Sequence, residues 1–317
     1  MADVFNLAIP YFSLIFIGYA CGKFRGLPEQ GLAWMNFFLL YVSLPALLFG
    51  ITSKTPFEEL NNPPFLIATT LGTAIALCLA MAAGRLVGGL PFRDATLAGL
   101  AGGYGNIGYM GPGLALAVFG AKAAVPTALI FCCDSIFLFS VVPLLIALTD
   151  KSEHHWLHAL GNLIRQIVLN PLIMSACAGA LAAALHLHPP VAIDNTLLFL
   201  QNAAAPMALF VLGVTVALRP FGRMPWEVPA VVAVKLVIHP LMVLGLMLLL
   251  GPFPNPWAAT AVLMASLPPA LNVFVIARQN DAWIEPASVT VMIGTFASVV
   301  TLTGAMWLIR SGWLALP

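Results

Sequence analysis

The chain has 317 residues, of which 61% are hydrophobic and 8% charged, with 13 Lys plus Arg against 12 Asp plus Glu and a formal net charge of +1. A water-soluble domain carries about 25% charged residues, and a chain this apolar has too little polar surface to cover itself in water. The near-neutral balance and the lack of any basic stripe exclude nucleic acid as a partner, because that binding needs many phosphate-facing cations. The composition therefore specifies an integral membrane protein whose first partner is the lipid bilayer.

The first apolar run lacks a positive n-region and an A-x-A-like cleavage site, so it reads as a retained span. Crossing a hydrocarbon core takes roughly 20 apolar residues. Runs of about that length, punctuated by Pro, Gly and charge clusters, predict ten helices at 4–21, 31–51, 64–87, 95–119, 123–148, 167–187, 191–218, 228–250, 257–277 and 287–309. Five fall in residues 1–148 and five in 167–317, joined by a cytoplasmic linker over 149–166. His154, His155 and His158 in that linker sit beside Trp156, Leu157 and Leu160, the pattern of an amphipathic segment on the membrane surface, and no metal is assigned to them. No phosphate-cradling G-x-x-x-x-G-K-[ST] loop is present, which excludes an ATP-driven pump in a single chain. Cys21, Cys78, Cys132, Cys133 and Cys177 lack metal-ligand spacing and are expected as small buried hydrophobes.

Lys23, Arg25, Arg85, Arg93, Lys151, Arg165, Arg219, Arg223 and Arg278 fall on one side of the predicted spans, against Lys54, Lys122 and Arg310 on the other. Positive charge near span ends stays cytoplasmic, so both termini are expected outside the cell (inner) membrane. The chain also matches itself at an offset of 161 residues. Pro10 and Gly18 recur as Pro171 and Gly179, Pro45-Ala-Leu-Leu-Phe49 as Pro206-Met-Ala-Leu-Phe210, and Pro64 as Pro225. A repeat of five spans, an odd number, inverts its second copy, and inverted repeats mark carriers that work by alternating access.

The fourth span holds Gly99, Gly102, Gly103, Gly105, Gly108, Gly111, Pro112 and Gly113 around Asn106, and the ninth holds Pro268 and Pro269 followed by Asn272. Glycines alone serve close helix packing. Pro and Asn in the middle of both equivalent spans instead predict two interrupted helices whose free N–H groups suit an anion. Gly103-Tyr-Gly-Asn-Ile-Gly108 also satisfies the dinucleotide pattern G-x-G-x-x-G, but its flanks are membrane-length helices and not the required strand and helix.

Asp134 and Lys235 lie deep within the fifth and eighth spans, where a charge costs about 2.5–3.5 kcal/mol on insertion scales. Two readings stay open: they pair with each other or with backbone carbonyls, or Asp134 relays a proton or cation while Lys235 attracts an anion. His239 lies on the same helix face as Lys235, four residues on. Ser43 before Pro45, and Gln201 and Asn202 before Pro206, line a cavity or bond a neighbouring helix.

Leu44-Pro-Ala-Leu-Leu-Phe49, Gly105-Asn-Ile-Gly-Tyr-Met-Gly-Pro112, Asn170-Pro171, Lys235-Leu-Val-Ile-His-Pro240 and Ser266-Leu-Pro-Pro-Ala-Leu-Asn-Val-Phe-Val-Ile-Ala277, in this order and spacing, resemble the auxin efflux carrier family. The resemblance implies an all-α membrane fold of ten transmembrane helices in a 5+5 inverted repeat, with broken helices 4 and 9 crossing near the substrate. It also implies a scaffold of spans one, two, six and seven, a transport subdomain from the rest, and a homodimer. Asn106 matches the family's polar position at the first crossover and is carried over as a carboxylate ligand, with Pro112, Pro268 and Pro269 as crossover residues.

The expected function is a secondary transporter of small organic anions, a dicarboxylate such as malonate among them, with no cofactor beyond coupling to H⁺ or Na⁺. Substrate would meet Asn106, Gly108, Gly111, Pro112, Pro268, Pro269, Asn272, Ser43 and Asn202, and coupling would run through Asp134, Lys235 and His239. A drug/metabolite-type ten-helix exporter is the nearest alternative, but it gives no reason for interrupted helices. A channel differs by unsaturable flux. An intramembrane enzyme is disfavoured, since there is no H-E-x-x-H motif, no paired intramembrane carboxylates and no Ser placed with a His and an Asp.

Overall fold

The computed structural model describes residues 2–25, 29–55, 62–148, 161, 165, 169–187, 189–218 and 224–311. The amphipathic segment expected around His154, His155 and His158 lies outside them. Among the described residues every regular element is helical: α1 (Ala2–Arg25), α2 (Glu29–Phe38), α3 (Leu44–Ser53), α4 (Pro63–Val87), α5 (Phe92–Gly103), α6 (Gly111–Phe119), α7 (Ala124–Ala147), α8 (Pro171–Ala184), α9 (Val191–Leu218), α10 (Glu227–Ala233), α11 (His239–Leu250), α12 (Trp257–Ala265), α13 (Asn272–Gln279) and α14 (Ile284–Arg310).

Six helical stretches among these residues are long and apolar enough to cross a membrane: Gly31–Ser53, Pro63–Val87, Gly111–Ala147, Val191–Leu218, Glu227–Leu250 and Ile284–Arg310. The chain is a multi-pass membrane protein. Gly111–Ala147, at 37 residues, would run roughly 55 Å as one straight helix, nearly twice a hydrocarbon core. It is not straight, because Gly120 at φ +70° ends α6 and a tight turn over Gly120–Ala123 leads into α7.

Proline placement explains several local features. Proline lacks an N–H, and its ring clashes with the carbonyl four residues back. Just before Pro45 and Pro240 the helix widens, so that the Leu44 N–H reaches the Leu39 carbonyl and the His239 N–H reaches the Val234 carbonyl, five residues back. These π turns, Leu39–Ser43 and Val234–Ile238, join α2 to α3 and α10 to α11. Asn170 and Pro171 start α8 together: the Asn170 side chain accepts from the Leu172 N–H at 2.9 Å, and the proline takes a first-turn position that needs no N–H.

The chain divides into two compact units. Unit 1 comprises Met1–Asn62, Gly108–Cys132 and Val168–Pro220, and unit 2 comprises Pro63–Ile107, Cys133–Ile167 and Phe221–Pro317. The first, second, sixth and seventh predicted spans thus fall together in unit 1. The resemblance implied that all of spans three to five would fall with the other group, but α6 and the start of α7 belong to unit 1. Side chains explain this: the Tyr11 hydroxyl of α1 donates to the Gly113 carbonyl of α6 at 2.8 Å, and a Cβ on Gly113 would lie 2.5 Å from that of Ala205 in α9.

Glycine sets the helix spacing within unit 1. A Cβ on Gly18 of α1 would overlap the Phe210 carbonyl oxygen of α9, and one on Gly179 of α8 would stand 2.7 Å from the Phe49 carbonyl oxygen of α3. Without side chains at these points the backbones approach directly. All five cysteines are free, yet Cys78 and Cys177 are exposed where burial was expected. In a bilayer an outward face is as apolar as a core, so a small thiol is tolerated on either.

Candidate functional site

The fourth and ninth predicted spans are both interrupted, between α5 and α6 and between α12 and α13. Unwound backbone at membrane depth needs hydrogen-bond partners inside the protein, and within unit 2 the two breaks supply them to each other. The Asn106 N–H donates to the Pro268 carbonyl at 2.8 Å, the Ala270 N–H donates to the Tyr104 carbonyl at 3.0 Å, and Gly105 stands opposite Pro269 in this short antiparallel pairing. Pro268 and Pro269 have no N–H to leave orphaned, which suits the second break to its place. A Cβ on Gly294 of α14 would lie 2.5 Å from Pro269 Cδ, so the proline ring is packed from behind.

The Asn106 side chain is 1% exposed, and neither its Oδ1 nor its Nδ2 has a hydrogen-bond partner among the described residues. An amide buried this way forfeits about 1–3 kcal/mol per unmet group unless something else satisfies it. Asn272, at the start of α13, is tied instead: its Nδ2 donates to the Tyr104 hydroxyl at 3.4 Å, while the Tyr104 ring packs edge-on against Phe139 at 5.5 Å.

Lys235 is fully buried in the second π turn. Its Nζ donates to the carbonyl oxygen of Ala265, the last residue of α12, at 2.8 Å, and lies 2.9 Å from His239 Nδ1. The ammonium thus stands at the negative end of a half-helix, where a cation is stabilising. A Cβ on Gly105 would come 3.1 Å from that Nζ, so the absence of a side chain at the first break admits the lysine. Asp134 does not pair with Lys235 among the described residues. It accepts from the Thr73 hydroxyl at 2.8 Å, and Thr73 Oγ1 lies 3.4 Å from His239 Nε2.

Of the residues expected at the site, unit 2 therefore brings together Asn106, Pro268, Pro269, Asn272, Lys235, His239 and Asp134. Gly108, Gly111, Pro112, Ser43 and Asn202 belong to unit 1. There the Ser43 hydroxyl donates to the Leu200 carbonyl at 2.6 Å, the helix-to-helix bond that was one of its two readings, and Asn202 is exposed. Sequence reasoning missed Thr73 and Tyr104. The polar Thr69–Thr73 edge of α4 and the aromatic residue beside Asn106 were the available signals.

The family described as "Membrane transport protein" matches residues 3–306. A protein of Rhizobium meliloti (strain 1021) described as a "Putative malonate transporter" is 44% identical over 314 residues, covering 99% of this chain and 98% of its own length. An "Uncharacterized transporter" of Methanothermobacter thermautotrophicus is 24% identical over 298 residues, covering 91% and 93%.

Proposed function

Because the chain belongs to the membrane transport protein family, the auxin efflux carriers whose motifs it bears, and is a membrane transporter and not an enzyme, we propose that it is a secondary carrier of small organic anions working by alternating access. A dicarboxylate such as malonate is the first candidate, by likeness to the Rhizobium protein. The observation that carries this reading is the buried amide of Asn106, without a hydrogen-bond partner among the described residues, at the point where two broken helices pair. The Nδ2 of that amide has two N–H donors to give, which is what a carboxylate needs. Asn106, Asn272, Pro268 and Pro269, all of unit 2, form the core of the substrate site.

The ten-helix, 5+5 inverted arrangement belongs to the same proposal. Two observations support it at the offset of 161: α6 begins at Gly111 and α13 at Asn272, and the Gly18-to-Phe210 approach has its image in the Gly179-to-Phe49 approach. Residues 1–148 and 167–317 are the two copies, both termini face outward from the cell membrane, and the carrier is a homodimer. Asp134, Lys235 and His239 couple transport to H⁺ or Na⁺. The exporter alternative gives no reason for interrupted fourth and ninth spans, and both are interrupted.

The test is counterflow of labelled malonate and other small mono- and dicarboxylates in proteoliposomes, with Asn106→Ala beside the parent. Saturable counterflow that falls at least about tenfold in the variant, at equal folded yield, is the expected result. Equal uptake by the two proteins discards the site, and unsaturable flux makes the protein a channel.

A further inference from the structure

Lys235 and Asp134 are both buried in unit 2 and are joined through His239 and Thr73 without touching. The direction of each bond follows from donor chemistry. An ammonium has donors only, so Lys235 Nζ donates to His239 Nδ1. With Nδ1 accepting, the neutral imidazole carries its hydrogen on Nε2, and that nitrogen faces Thr73 Oγ1. The Thr73 hydroxyl gives its single hydrogen to Asp134 Oδ2, leaving a lone pair for His239. All three donors point from Lys235 toward Asp134. Beyond them, Asp134 Oδ1 is buried without a hydrogen-bond partner among the described residues. Tyr104 from the first break and Cys133 on α7 are the other titratable groups beside this carboxyl.

We propose that Thr73 is the positioning residue of a proton wire: it fixes His239 as the Nε2–H tautomer and lets one proton pass between Lys235 and Asp134. The proposal rests on the carrier reading above and deepens its coupling step. In the transfer the ammonium gives a proton to His239 Nδ1, the Nε2 hydrogen moves to Thr73 Oγ1, and the original Thr73 hydrogen moves to Asp134 Oδ2. Lys235 becomes neutral, Asp134 becomes a carboxylic acid, His239 ends as the Nδ1–H tautomer and Thr73 is unchanged in composition. The reverse passage restores the start. Total charge is conserved, but the cation leaves the Ala265 carbonyl and the first break. The Ala265 carbonyl holds the proton on Lys235 at rest, so the Nε2–H tautomer is the resting form and the passage to Asp134 is a transient step of the cycle.

Full-length protein with ¹⁵N-labelled histidine, in lipid nanodiscs at about pH 7, tests the wire, with the His239 signals assigned by their loss in His239→Gln. The expected result is an Nε2–H tautomer in the parent and in Thr73→Ser, and a mixture of tautomers in the isosteric Thr73→Val. In proteoliposomes Thr73→Val is expected to turn over carboxylate at least about tenfold more slowly at unchanged KM, with a flattened pH profile, and Thr73→Ser to recover both. A parent His239 that is Nδ1–H or imidazolium overturns the proposal, as does Thr73→Val with the parent's tautomer and pH profile. If the parent moves no carboxylate while the ¹⁵N pattern is as stated, the carrier reading fails and the wire stands.

Discussion

Lys235 donates from Nζ to the Ala265 carbonyl at 2.8 Å, so a fully buried cation closes the end of α12 at the point where the ninth span breaks. Lys235→Met removes both that bond and the one to His239. An unmet buried carbonyl costs about 1–3 kcal/mol, and the lost charge at the helix end adds about 0.3–1 kcal/mol. Thermal unfolding in detergent is expected to fall accordingly, with transport lost. Lys235→Arg is expected to fail as well, because Lys235 is fully buried and packed close to Gly105, and a planar, larger guanidinium does not replace a compact ammonium there.

Two glycines of α14 separate packing at the break from helix propensity. In Gly294→Ala the new methyl lies 2.5 Å from Pro269 Cδ, an overpacking expected to destabilise by about 1–3 kcal/mol and to lower transport. Gly304 has nothing within 4 Å of its ideal Cβ, so Gly304→Ala is expected to be neutral or to stabilise by up to about 1 kcal/mol. Melting temperatures of the two variants, measured side by side, should move in opposite directions or differ by the full cost of the clash.

Gly18→Ala and Gly179→Ala push apart the α1–α9 and α8–α3 contacts at carbonyl oxygens 161 residues apart in sequence. Both are expected to destabilise unit 1 by about 1–3 kcal/mol or more, and to similar extents. Gly31→Ala, with open space around it, serves as the control. The check is the fraction of monodisperse protein left after heating, and a large loss in one variant with none in the other would separate the two contacts.

Glu227 is 4% exposed and accepts from Trp283 Nε1 at 3.2 Å, while Trp283 holds a left-handed backbone at φ +49° ahead of α14. Trp283→Phe keeps the bulk and removes the donor, for an expected loss of about 1–3 kcal/mol. Glu227→Gln keeps an acceptor and should cost less. A double-mutant cycle on unfolding free energy measures their coupling.

The breaks were legible in sequence because Gly and Pro clusters in the middle of two apolar spans, at matching places 161 residues apart, have few other uses inside a membrane. The partner of Lys235 was not. Sequence left pairing with Asp134, pairing with a backbone carbonyl and a functional role all open, and only the fold brings Ala265 to the ammonium. Thr73 was hidden for a different reason: a helical threonine usually bonds back to its own helix, as Thr69 does to Phe65, whereas Thr73 reaches residues 61 and 166 positions away. Among the contacts that tie α6 to unit 1 are one tyrosine hydroxyl and one close glycine, neither of which leaves a periodic trace.

The reciprocal bonds linking Tyr104, Asn106, Pro268 and Ala270 make the two unwound segments obligate mates. Neither can be straightened, shortened or grafted by itself, since the survivor would be stranded with bare peptide groups in hydrocarbon. Chimeras that exchange one half of the chain for a distant relative's should assemble only when the donor carries a loop of matching length and register, so the two halves are constrained to drift together.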